Sequence, residues 1–191
     1  MPRLFDIFAD IYDAVMPKRQ PIELLRLLNL RKWEQILEIG AGTGRIAKHY
    51  SYLVDRLYLL DPSPRMLEKA SKLIPSAKIV VGISEQMDFP DNSFHKILCY
   101  DSLHHWQGQI RGLKECLRVL RPNGRIFFVE VDPRNFWGKG VILLERLLRF
   151  GSRFHTPEIL THLLRVVGFE KLQYDPLSGS LAYCIIGSKH A

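Results

Sequence analysis

The sequence predicts an α/β fold, a mostly parallel sheet with helices on both faces. Three observations carry that expectation. Runs of strand length at 36–39, 57–60, 78–81 and 94–100 alternate with stretches of helical period. The first run ends in a glycine-rich turn, Gly40-Ala41-Gly42-Thr43-Gly44, and the second ends in an acid, Asp61. Strands buried on both faces of a parallel sheet read as continuous apolar runs, as the first two do here.

Composition bounds the answer. The 191 residues suffice for one domain, 1–191, with a full core. The chain is 47% hydrophobic and 25% charged, ordinary for a globular protein. Its apolar runs fall short of the roughly 18 residues of a membrane span. Acids at Asp6, Asp10 and Asp13 do not fit a secretory signal, so the expected location is cytoplasmic. Cys99, Cys116 and Cys184 are odd in number and far apart, and read as reduced core residues. The net charge of +7 raises the question of nucleic acid, but the basic residues are scattered without a basic–aromatic module. A solvated basic surface is the better reading.

The elements follow in order. Leu4, Phe5, Phe8, Ile11, Tyr12 and Val15 stand at helical spacing, and a second helix follows Pro21. After strand 36–39, glycine lets the turn take positive φ and lets a ligand approach the backbone. The helix expected at 46–54 presents unpaired N–H groups to an anionic or polar ligand. The dinucleotide fingerprint needs a third glycine at 45, which is Arg45. Asp61, at the tip of the second strand, is placed to accept both hydroxyls of a ribose; the alternative is a helix cap, because Pro62 and Ser63 precede a helix. Glycine turn and acid together argue for an adenosine-containing ligand. Met66 either packs on a purine or fills the core. Strands at 78–82 and 94–100 follow, and the residues just past strand four, Asp101 to Trp106, stand where ligands bind. A helix at 110–120 runs into the turn Arg121-Pro122-Asn123-Gly124 and strand 125–131. An amphipathic helix is expected within 135–155, and another after Thr156-Pro157-Glu158, ended by Gly168. Two strands, 169–174 and 181–187, close the chain as a hairpin.

Residues 36–61 resemble motif I and the following acid of class I S-adenosylmethionine-dependent methyltransferases, and the resemblance extends over 5–187. It points to the small-molecule branch that includes ubiquinone/menaquinone-biosynthesis methyltransferases (methyltransferase type 11). The resemblance implies a Rossmann-like sheet of seven strands with an antiparallel C-terminal hairpin. It implies S-adenosylmethionine as cofactor and S-adenosylhomocysteine as product. The cofactor contacts it implies are Tyr12, Glu38, Gly40, Ala41, Gly42 and Gly44 in the first part of the chain. Asp61, Pro62, Met66, Ile83, Ser84, Glu85 and Asp101 complete the set, the last through its backbone carbonyl. Tyr12 belongs to a string, Phe5-Asp6-x-x-Ala9-x-x-Tyr12-Asp13, that looks like the family's opening; it either faces the ligand or packs on the core. Ile83 stands where the family has an adenine-binding aspartate, so adenine is expected to be held by apolar packing and the Ser84 backbone N–H.

Residues 1–30 and 135–155 are expected to form two covers over the site, with a membrane-surface helix as the rival reading of the second. His104 and His105 are candidates for general base or substrate contact, against structural packing. No metal site is expected, because adjacent histidines diverge and no acid or cysteine stands at metal spacing in the sequence. The implied activity is in-line methyl transfer to a small-molecule or lipid-like acceptor. An RNA or protein methyltransferase and a non-catalytic S-adenosylmethionine-binding protein are the alternatives. The acceptor and the oligomeric state are not written in the sequence.

Overall fold

The computed structural model describes residues 21–147, 151–177 and 181–191; the expectations for 1–20, Tyr12 included, lie outside the described residues. The chain begins with α1 (Ile22–Leu28) and β1 (Gln35–Ile39), followed by β2 (Arg56–Asp61), α2 (Pro64–Leu73), β3 (Lys78–Val81) and β4 (Phe94–Tyr100). Then come α3 (Gln109–Val119), β5 (Leu120–Val131), α4 (Phe136–Leu147), α5 (Pro157–Val167), β6 (Glu170–Asp175) and β7 (Ala182–Ser188).

Among the described residues the seven strands form one sheet in the order β3-β2-β1-β4-β5-β7-β6. The first five are parallel, and β7 inserts antiparallel between β5 and β6. The expected Rossmann-like architecture and terminal hairpin are both present.

Strand alternation builds the two core layers, because successive side chains face opposite sides of a sheet. Leu37, Ile97, Cys99, Ile126 and Phe128 pack with Leu113 and Cys116 of α3 and Leu160 and Leu164 of α5. Ile36, Leu59, Leu98, Phe127 and Val129 pack on the other face with Leu24 and Leu28 of α1 and Leu67 and Ala70 of α2. Helix α1, the described part of the expected first cover, therefore serves the core face of the sheet. The three cysteines are buried free thiols, and they divide between the layers, with Cys184 across the sheet from Cys99 and Cys116.

Local chemistry sets the helix ends. Ser63 Oγ accepts the Met66 N–H at 3.2 Å and caps α2. Thr156 caps α5, and Gly168 ends it at φ 113°. Asn123 takes φ 61° between the Leu120 and Arg125 pairings of β5 with β4, as its tolerance of left-handed backbone allows.

The connection after β1 corrects the sequence reading. In place of a helix over 46–54 the chain makes two short 3₁₀ turns, Ala47–His49 and Ser51–Leu53. Tyr50 separates them at φ −136°, and its fully buried hydroxyl donates to the Glu38 carboxylate. His49, Tyr50, Ser51 and Tyr52 are indifferent helix formers, so the tyrosine anchor decides the local fold. The 46–54 segment therefore presents no α-helix N-terminus to the glycine turn. Arg118 pairs with Glu115 and Asp91, so part of the basic excess is engaged locally. Among the described residues no helix is long and apolar enough to cross a membrane.

Candidate functional site

The sheet order reverses between β1 and β4, and a cavity of about 340 Å³ opens there at the strands' carboxyl ends. Its first wall is the glycine turn. Gly40 and Ala41 donate their N–H groups to the Leu60 carbonyl at 2.8 and 3.1 Å, which ties the turn to β2. Asp61 completes the tie: Oδ2 accepts the Gly42 N–H at 2.9 Å and Oδ1 the Ser63 N–H at 2.8 Å. Capping of α2 falls to Ser63, so Asp61 is not the cap, and its carboxylate lines the cavity.

Pro62, Met66, Ile83 and Ser84 continue the lining. Ile83 is 48% exposed and apolar where the related pattern has an acid. Glu85 also touches the cavity, but its carboxylate is engaged: it accepts from Gly108 N at 2.8 Å and from Ser84 Oγ at 2.9 Å. Partial burial raises its carboxyl, and these hydrogen bonds outweigh that and hold it below the ordinary range. Trp106 closes this wall by packing on Gly112, where a Cβ would stand 2.6 Å from the indole ring.

The segment after β4 supplies the last wall. Asp101, at φ 52°, lines the cavity with Ser102, His105, Trp106 and Gln107. Ser102 Oγ donates to the Ile39 carbonyl at 3.0 Å. Glu130 of β5 organises this segment from behind. Its Oε1 accepts the N–H groups of Ser102 at 3.2 Å and Leu103 at 2.8 Å, and its Oε2 is 2.6 Å from His104 Nδ1. Glu130 was missing from the sequence reading; the only available signal was an acid inside the apolar run Phe127-Phe128-Val129-Glu130-Val131.

The two candidate histidines part company. His104 is 2% exposed and does not line the cavity; His105 does. Burial opposes charge on His104, but the Glu130 carboxylate overrides it and lifts the imidazole to about 9. Burial, and then the charge of His104, push His105 down to about 2, so it is neutral. The sequence-based argument that no acid stands near the histidines fails in space: Glu130 and Glu145 reach His104 from β5 and α4.

Of the other expected contacts, Glu38, Ala41 and Gly44 do not line the cavity. Glu38 is buried against Tyr50 instead. Burial, reinforced by the charge of Asp61, raises its carboxyl from 4.5 to about 7, against the Tyr50 hydrogen bond and Arg45. A folded-state pKa above the unfolded one stabilises fully below pH 4.5 and is lost as pH rises through 7. Stability is therefore expected to fall across that window by roughly 3 kcal/mol from this group alone. Glu38→Gln should flatten the fall, read as the difference between variant and wild-type urea midpoints over a pH series. Parallel curves for the two proteins would remove Glu38 from this account.

The site defines a class: a Rossmann-like sheet whose glycine turn and second-strand acid frame an adenosyl-sized cavity. A family model described as a methyltransferase domain matches residues 37–128. The chain is 28% identical to a demethylmenaquinone methyltransferase of Thermotoga maritima, over 97% of this chain and 94% of the relative. It is 32% identical to the chloroplastic 2-methyl-6-phytyl-1,4-hydroquinone methyltransferase 2 of Oryza sativa, over 54% of this chain and 31% of that one. A solved structure of an S-adenosylmethionine-dependent methyltransferase from Thermotoga maritima superposes with a TM-score of 0.83 at 24% identity, covering 98% of this chain and 99% of the other. Together these similarities support a class I S-adenosylmethionine-dependent methyltransferase of the ubiquinone/menaquinone-like branch.

The residues fit the cofactor. A Cβ built on Gly42 meets no atom within 4 Å, so the space before that backbone is open to a ligand. Beside it stand the Asp61 carboxylate, which can accept hydroxyl donors, and the apolar faces of Met66 and Ile83.

Proposed function

We propose that the protein transfers the methyl group to a ring carbon of a quinol-like small molecule. The observation that carries this reading is the placement of the two histidines beside the cavity. His104 is buried, turned to Glu130 and off the cavity lining, and His105, which lines it, has its Nδ1 engaged by Ser152 Oγ at 3.2 Å. Neither ring is presented to the cavity as a dedicated general base. An oxygen or nitrogen acceptor that must shed a proton depends on such a base; an electron-rich quinol carbon depends on it less. The names of the Thermotoga and Oryza relatives, which specify a demethylmenaquinone and a hydroquinone, support the same class.

In this reading Asp61 takes the ribose hydroxyls, and the backbone of Gly40 and Gly42 and the Asp101 carbonyl hold the methionine end. Met66 and Ile83 clasp the purine, with the Ser84 N–H to a ring nitrogen. Glu85 contributes by holding the Gly108 turn. The bound cofactor supplies a methyl group on a sulfonium that leaves as a neutral thioether. The chain's part is to align the acceptor and exclude water, which can supply on the order of 7–11 kcal/mol. Trp106 and His105 form the wall where the acceptor is expected, and α4 and residues 151–155 serve as the second cover. The whole chain, 1–191, acts as one domain.

The test has two arms. Asp61→Ala is expected to weaken S-adenosylhomocysteine binding at least tenfold in calorimetry, about 1.4 kcal/mol. Mass spectrometry of a panel of quinols, phenols and amines with S-adenosylmethionine should show carbon methylation of a quinol. Absence of heat and thermal shift with S-adenosylhomocysteine would overturn the site. Methylation of amines alone would overturn the acceptor.

A further inference from the structure

Behind the Trp106 wall the fold gathers a nitrogen–oxygen cluster that cofactor binding does not use. A ring nitrogen from each of His104 and His105 and a carboxylate oxygen of Glu145 lie within 4.8 Å of one another. His104 Nε2 is 3.7 Å from Glu145 Oε1. Its other nitrogen, Nδ1, is 2.6 Å from Glu130 Oε2, and its ring stacks on Phe154 with centroids 4.3 Å apart. A carboxylate on the far nitrogen of an imidazole, fixing tautomer and ring orientation, is the usual support of a metal-ligating histidine.

Two further observations point to a ligand. Glu145 Oε2 is buried without a hydrogen-bond partner among the described residues, although Ser152 bonds to the same carboxyl group. Buried carboxylate oxygens normally have a partner. Asp101, Glu130 and Glu145 also bring three carboxyl groups around these imidazoles, with His104 and Arg45 as their cationic partners. An ion at His104 Nε2 would take the place of the imidazolium proton.

We propose that His104, His105 and Glu145 bind one divalent transition-metal ion. Two imidazoles and one carboxylate suit Zn²⁺, Fe²⁺ or Co²⁺, with ligand bonds of about 2.0–2.2 Å. The cluster needs only a small closure, which the half-buried Glu145 side chain can supply from α4. Because His105 also lines the cavity, the ion stands at the cavity wall. Resting on the quinol reading above, an acceptor hydroxyl oxygen would be a further ligand, which the ion would hold as the phenolate with its proton released to water.

The test uses the full chain stripped with EDTA and titrated with Co²⁺ or Zn²⁺, with S-adenosylhomocysteine titrated in parallel. One ion per chain is expected, with a visible Co²⁺ absorption band of a four- or five-coordinate site. Glu145→Ala and the volume-conserving Glu145→Gln are each expected to weaken ion binding at least tenfold. Affinity for S-adenosylhomocysteine should change less than twofold in both. No bound ion, or ion binding unchanged in both Glu145 variants, as adventitious binding at His162 or His190 would give, overturns the proposal. The parallel titration reads the cofactor site separately, so failure of one is not mistaken for failure of the other.

Discussion

Replacing Glu130 by alanine is expected to destabilise the protein by about 3–5 kcal/mol, the range for removing one partner of a buried charged pair. The carboxylate is 3% exposed and serves three donors: the N–H groups of Ser102 and Leu103, and His104 Nδ1. Alanine leaves all three buried and unpaired, and each orphaned donor costs about 1–3 kcal/mol. For a chain of this size each kcal/mol lowers Tm by roughly 2–4 °C. Glu130→Gln keeps an oxygen for the two N–H groups but gives up the charge opposite His104, so its loss should be smaller. Urea unfolding of both variants measures this, as midpoints shifted at unchanged slope. A Glu130→Ala midpoint within 1 kcal/mol of wild type would show that the segment after β4 is held by its own packing.

That carboxylate also marks the limit of what the sequence discloses. The central strands were legible because burial on both faces leaves continuous apolar runs, as in β1, β2 and β4, whereas the edge strand β6 is mostly polar and exposed. Gly40, Gly42 and Asp61 were legible because turn chemistry is local: positive φ and the tip of a strand are read within a few residues. What stayed hidden depends on contacts across the sheet. Glu130 meets His104 over 26 residues of sequence, and the buried pair Lys96–Glu34, 2.6 Å apart at the other end of β4, spans 62. Neither pairing leaves a periodic trace. The missing first crossover helix is a third case. Its apolar spacing suited a helix, yet one buried hydroxyl, Tyr50 on Glu38, won over that spacing. The same bond takes Glu38 out of the cavity that its place in the motif had suggested.

Two neighbouring glycines are expected to separate stability from binding. A Cβ on Gly40 would stand 2.4 Å from Ser102 Cβ and 2.9 Å from Ser102 Oγ, at φ +73°. Gly40→Ala therefore combines left-handed strain of roughly 1–2 kcal/mol with overpacking of roughly 1–3 kcal/mol. Ser102 cannot yield freely, because its Oγ holds the Ile39 carbonyl and its N–H holds Glu130. The variant should lose about 3 kcal/mol or more of stability. Gly42→Ala carries similar strain, at φ +54°, but its Cβ meets nothing within 4 Å. Its methyl group would enter the cavity beside Asp61, whose Oδ2 already fixes the Gly42 N–H. It should cost only about 1–2 kcal/mol in stability, yet weaken S-adenosylhomocysteine binding at least tenfold. Thermal unfolding and calorimetry on the two variants decide the matter. If Gly42→Ala binds as well as wild type, the cofactor does not lie against the turn. If Gly40→Ala unfolds near the wild-type midpoint, the turn and the segment after β4 are less tightly locked than their contacts imply.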